Sequence, residues 1–135
     1  MFTGSLVRNV LYLPLSKTEW DPAQGIPFFD LTNPNLDLAL AGQQILGESL
    51  IGIQVGNEPD LYVSHGHRPE DYDAFSYTDE FGTIVNAMQN DPNEANNRDL
   101  LIGPNIATKW TPEQVWDTGF VNLYSQSLAS LAVER

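Results

Sequence analysis

Hydrophobic positions along this chain fall into short unbroken runs separated by segments with helical spacing. Leu50 to Val55 (LIGIQV) is a six-residue run rich in β-branched residues, bounded by Ser49 and Gly56. Leu100 to about Ala107 is a second run, and Ile26 to Leu31 (IPFFDL) a third. Runs of this length predict buried strands. Val10 to Leu13 has strand composition too, but Pro14 stops it, and Trp20 to Gly25 reads as a turn. The intervening segments predict helices. Asn33 can cap a helix whose first position is Pro34; Leu36, Leu40, Ile45 and Leu46 continue it, and Gly47 is a natural stop. After a long loop from Leu61 to Tyr77, a helix is expected from near Thr78, with Phe81, Ile84, Val85 and Met88 on one face and Asn90-Asp91-Pro92 at its end. Thr111, Pro112 and Gln114 fit a capping box. Trp116, Phe120, Tyr124 and Leu128 then recur every four residues, with Gly119 a candidate break. Strands that are continuous apolar runs, alternating with helices, predict an α/β fold with a parallel sheet.

Composition narrows what such a fold can do. The chain has 135 residues, 41% of them hydrophobic, enough for one packed core. Eighteen acidic residues face six Lys and Arg, a formal net charge of −12. Nucleic-acid binding through phosphates needs clustered cations, so that class is rejected, and an acidic surface is repelled by anionic lipid. No apolar stretch is long enough to span a bilayer, so no membrane partner is expected. The absence of cysteine removes disulfides, thiolate nucleophiles and Cys-based metal sites. The first fifteen residues show no signal-peptide pattern.

Parallel α/β folds place their sites at the carboxyl ends of strands. There the run Leu50 to Val55 leads into Gly56-Asn57-Glu58-Pro59-Asp60. A partly desolvated carboxyl at a strand end holds a proton toward neutral pH and can act as a general acid. Asn57 beside it offers an amide to a sugar hydroxyl. Taken alone, Asn57-Glu58-Pro59 is short, and a Glu that caps the next turn or pairs with an Arg is the plainer account. His65 and His67 fit a metal pair, but no third ligand has suitable spacing, so loop histidines that shape a cleft are favoured. Arg68 suits a carboxylate ligand or an ion pair with Glu70, Asp71 or Asp73; the ion pair is favoured. Tyr62, Tyr72, Tyr77 and Trp110 are candidate stacking platforms, Trp110 the best placed. Trp116, Phe120 and Tyr124 read as core. Phosphate-loop and nucleophile-elbow patterns are absent.

The whole stretch Gly52-Ile53-Gln54-Val55-Gly56-Asn57-Glu58-Pro59-Asp60-Leu61-Tyr62 resembles the fourth strand of the clan A glycoside hydrolases. With His65-Gly66-His67-Arg68-Pro69, Tyr72, Leu101-Ile102-Gly103-Pro104, Trp110-Thr111-Pro112-Glu113, Val115-Trp116 and Leu131 to Arg135, it resembles glycoside hydrolase family 79, the fungal β-glucuronidase and heparanase-like family. Gly25-Ile26-Pro27-Phe28 and Leu31-Thr32-Asn33 look like that family's third strand and loop, so the likeness spans about residues 25–135. The resemblance implies a partial (β/α)8 TIM barrel, Glu58 as general acid/base, and Asn57 as the hydrogen-bond partner of the sugar 2-hydroxyl. It places Tyr62, His65, His67 and Trp110 as substrate-binding candidates. It implies a carbohydrate substrate, no metal or other cofactor, and an extracellular setting for the parent family.

A closed barrel of this type takes about 250 residues. The expectation is therefore that residues 25–135 form strands three to five of a catalytic domain, with residues 1–24 a poorly matched N-terminal segment. The partner carboxylate of strand seven would lie outside this sequence, and Glu134 is not that nucleophile. The chain by itself is then expected to be inactive, and marginally stable because of its open sheet edges. Two rivals remain: a non-catalytic carbohydrate-binding or interaction module derived from such a barrel, and an unrelated α/β ligand domain with a doubly wound sheet.

Overall fold

The computed structural model describes residues 9–13, 15 and 36–133. Among these described residues four strands alternate with helices: β1 (Asn9–Leu13), α1 (Asp37–Leu46), β2 (Leu50–Val55), α2 (Ala74–Asn90), β3 (Leu101–Ile106), α3 (Pro112–Trp116), α4 (Phe120–Tyr124) and β4 (Leu128–Val133). The strands lie in one sheet in sequence order, β1-β2-β3-β4, and every neighbouring pair is parallel. The expected parallel α/β architecture is present.

Register shows how the two faces differ. Leu11, Ile53 and Leu101 align on one face. On that face Gly42 of α1 lies against Leu11, and Gly103 lies against Tyr77 and Phe81 of α2 and Phe120 of α4. The helices therefore share one side, and the core lies between them and the sheet. Phe81 and Phe120 meet edge to face at 4.8 Å, with Tyr77 and Tyr124 packed around them. Tyr12, Gln54 and Ile102 align on the opposite face. There Tyr12 is 38% exposed and Val10, paired with Gly52, 51%.

Caps set the helix ends. At α2, the Asp73 carboxylate accepts from Ser76 N at 3.0 Å and Ser76 Oγ answers the Asp73 N–H, so the helix begins four residues before the expected Thr78. The box is readable only if Ser is allowed at the third helical position. At the other end Arg98 donates to the carbonyls of Met88 and Asp91, at 2.9 and 3.0 Å. Thr111 and Gln114 form the expected capping box of α3, and Gly119 (φ 85) divides α3 from α4.

Some expectations are corrected, and others fall outside the described residues. The strand beside β2 is Asn9–Leu13, inside the segment set apart as residues 1–24. The expected strand Ile26–Leu31 and the cap at Asn33-Pro34 lie outside the described residues, as does Glu134. Leu128 does not continue a helical face: the turn at Ser127, whose N–H donates to the Tyr124 carbonyl, ends α4, and Leu128 opens β4. The four-residue apolar spacing was coincident with a change of element.

Between α2 and β3, Glu94 is buried at the end of a 3₁₀ turn. Its carboxyl accepts from Asn97 Nδ2 at 2.6 Å, and the same nitrogen donates to the Ala39 carbonyl of α1 at 3.3 Å. Burial pushes the Glu94 pKa up, partly opposed by the Asn97 hydrogen bond, and the charges of Asp91 and Asp37 add to the rise. A carboxyl with a raised folded-state pKa binds its proton more tightly in the native state than in the unfolded one. Its contribution is thus most favourable below the unfolded value of about 4.3 and is lost as pH rises through the folded value. Glu94→Gln, which carries no charge to bury, is expected to raise the urea midpoint at pH 7 and to lose that advantage at pH 4. Parallel midpoint-against-pH curves for the two proteins would sink this account.

Candidate functional site

The carboxyl ends of β1, β2 and β3 are tied together by the segment that follows β2. Gly56 N–H donates to the Leu13 carbonyl at the end of β1, at 2.8 Å. Glu58 N–H donates to the Asn105 carbonyl of β3 at 3.0 Å. Between them the Val55 carbonyl accepts from the buried Tyr77 hydroxyl at 2.8 Å. Gly56 must be glycine for two reasons: its φ is +74, and a Cβ there would sit 2.8 Å from the Tyr62 hydroxyl.

Glu58 is half-buried and has left-handed backbone angles, φ 51 and ψ 55. A non-glycine residue there carries about 1–3 kcal/mol of strain that its surroundings must hold. Pro59 then starts a 3₁₀ turn, Pro59–Leu61. Asn57, next to Glu58, is exposed. Its Oδ1 accepts from Gln54 Nε2 at 3.2 Å and from Asn105 Nδ2 at 2.6 Å. Its backbone N–H donates to the Tyr62 hydroxyl at 3.3 Å.

Asp60 is the second carboxylate of the segment and is 4% exposed. It accepts three backbone N–H groups, from Ala107 at 2.8 Å, Lys109 at 2.7 Å and Trp110 at 3.2 Å. It thereby fixes the loop between β3 and α3 beside the turn that bears Glu58. Trp110 stacks on Tyr72 with centroids 6.1 Å apart, and Tyr72 in turn packs on Tyr62 at 5.9 Å. The half-buried Trp110 lines an open cleft of about 290 Å³ with Asp73, Ala74, Phe75, Gln114 and Asp117.

The remaining candidates are placed as follows. Tyr62 is 2% exposed; its ring is enclosed by His67, Tyr72 and Arg68, so it supports Asn57 from within instead of offering a face to a ligand. Tyr72 and Tyr77 are also buried, which corrects their reading as stacking platforms. Burial raises the Tyr72 pKa, the Glu80 charge and hydrogen bond add to the rise, and the hydroxyl stays protonated as a donor to Glu80 Oε2 at 3.0 Å. Arg68 pairs with Glu80 at 2.7 Å, not with Glu70, Asp71 or Asp73. It also donates to the Leu15 and His67 carbonyls and lies over the Tyr62 and Tyr72 rings, so this guanidinium is a structural pin. His65 is exposed and His67 half-buried, with ring centroids 5.7 Å apart. Burial lowers the His67 pKa, and the nearby His65 and Arg68 charges lower it further, leaving a neutral imidazole at neutral pH. Among the described residues no group of three or more His, Asp or Glu could hold a metal ion, and no helix is long and apolar enough to cross a membrane.

Gln54, Asp60 and Asn105 were missed as site residues. Asn105 had a readable signal, since Asn is among the few residues that accept left-handed angles and here follows Gly-Pro at a strand end. Asp60 had none beyond its place after Pro59, because its partners are backbone groups almost fifty residues away in sequence. No family model and no curated protein sequence matches this chain.

Proposed function

We propose that this chain carries the general acid/base of a retaining glycoside hydrolase of the (β/α)8-barrel type, of the family 79 kind, acting on β-linked glucuronic acid or a related sugar. The observation that carries the proposal is the Asn57–Glu58 pair at the carboxyl end of β2, an interior strand, with Glu58 held in left-handed geometry against the end of β3. Strand order also supports it. Parallel strands in sequence order with helices on one face suit an arc of a singly wound barrel, whereas a doubly wound sheet reverses its order and carries helices on both faces.

In this proposal Glu58 protonates the departing glycosidic oxygen in the first step and activates water in the second. The exposed Asn57 amide holds the sugar 2-hydroxyl, and Trp110, in the loop that Asp60 fixes, is assigned to substrate binding. A retaining mechanism needs a nucleophilic carboxylate about 5–5.5 Å from the acid. It is assigned here to a strand outside this sequence, so the 135-residue chain alone is expected not to turn over substrate.

The test uses the protein at its full natural length and aryl β-glucuronides with good and poor leaving groups. Glu58→Gln is expected to lower kcat on the poor leaving group by about 10²–10⁴-fold. The loss in kcat/KM, which reports the first step, should be much smaller with a leaving group acidic enough to depart unprotonated. On that substrate kcat should stay low because the second step lacks its base, and azide, which needs none, should restore it. Full activity in the variant overturns the assignment of Glu58. Glucuronide binding without turnover by the unaltered protein replaces the enzyme with a carbohydrate-binding module.

A further inference from the structure

We propose that Asn105 and Gln54 are positioning residues that fix which way round the Asn57 side-chain amide points, so that its nitrogen faces the substrate 2-hydroxyl as a donor. The orientation stands on hydrogen bonding alone; only its consequence for a sugar rests on the function proposed above.

The two ends of an Asn amide are nearly equal in size, so the partners decide which end donates. Here the polarity is set from the main chain. The Gly56 carbonyl can only accept, so the Gln54 atom 3.0 Å from it must be the NH2 nitrogen. That nitrogen has a second hydrogen, directed at Asn57 3.2 Å away, and the receiving atom must then be the oxygen. Asn105 closes the set by donating Nδ2 to the same oxygen at 2.6 Å. Two donors, one from β2 and one from β3, occupy Oδ1 and leave the Asn57 nitrogen on the exposed side. Asn105 is itself pinned, with φ 49 and a carbonyl that accepts the Glu58 N–H at 3.0 Å. One residue therefore holds both members of the pair: Glu58 through its main chain and Asn57 through its amide.

Asn105→Asp is the informative variant. It keeps nearly the same shape and tolerance of left-handed angles, but a carboxylate can only accept, so it repels Asn57 Oδ1 where Asn105 donated to it. Asn105→Gly removes the donor, keeps the backbone conformation and adds no charge. In ¹⁵N spectra of the chain, the Asn57 side-chain NH2 resonances are expected to move in both variants while the backbone pattern stays that of a folded protein. In the protein at full natural length, both variants are expected to lower kcat/KM on an aryl glycoside with a 2-hydroxyl by about tenfold or more, and on its 2-deoxy analogue by no more than about twofold. Unmoved Asn57 resonances in both variants overturn the positioning role whatever the protein does. Moved resonances with equal effects on the two substrates overturn its link to a sugar 2-hydroxyl and leave the orientation standing.

Discussion

Asp60→Ala is expected to lower stability by about 3 kcal/mol or more, because it leaves three main-chain donors without their acceptor. The Ala107 N–H is buried and those of Lys109 and Trp110 partly so, so water cannot fully replace the lost carboxylate. Against a total of about 5–15 kcal/mol for a domain, the loss is large. Asp60→Asn should fall between the two proteins. Its oxygen can serve one side of the clamp, but its NH2 then faces a donor on the other. Urea unfolding gives the magnitude, and hydrogen exchange tests the place: the amides of residues 107, 109 and 110 should lose protection first. If those three amides exchange as before in Asp60→Ala, the carboxylate does not hold the loop.

Phe81→Ala is expected to cost about 3–5 kcal/mol, the usual range for emptying a buried aromatic site. Phe81 is fully buried and touches Phe120, Tyr124 and Tyr77, and its ring edge sits where a Gly103 Cβ would come within 3.0 Å. It thus joins α2 to α4 and to β3 at one point. The midpoint should fall with the denaturant slope unchanged. Phe75→Ala serves as the control, since Phe75 is 61% exposed on the first turn of α2 and should change stability by no more than about 0.5 kcal/mol. Equal losses in the two variants would mean that the aromatic cluster is not the centre of the core.

Local patterns carried the fold well where one element decided the outcome. Leu50–Val55 is a strand over the residues expected, Gly47 and Gly119 end or interrupt helices, and Thr111 caps α3 with Gln114. Pattern failed where two elements followed closely. Leu128 keeps step with Tyr124 by accident of spacing, and only the pairing of Leu128 with Leu101 makes it a strand residue. Val10 to Leu13 was ambiguous by itself because a five-residue strand gains its stability from a neighbour, here β2, which lies far along the sequence. The site divides the same way. Asn57 and Glu58 were visible because they end a strand. Gln54, Asp60 and Asn105 act through hydrogen bonds to groups that only folding brings near, as does Glu80, which meets Arg68 across a loop.

The order of the strands also bears on how the chain folds as it is made. Among the described residues, each of β2, β3 and β4 pairs with the described strand that precedes it in the sequence, so none of these waits for a later one to complete its earlier edge. Synthesis at about 5–20 residues per second is slow beside the closing of a loop of this length, so every new strand can meet a template already in place. The sheet thus grows by successive addition, one strand and its helix at a time, and the most recently made strand briefly serves as the growing edge.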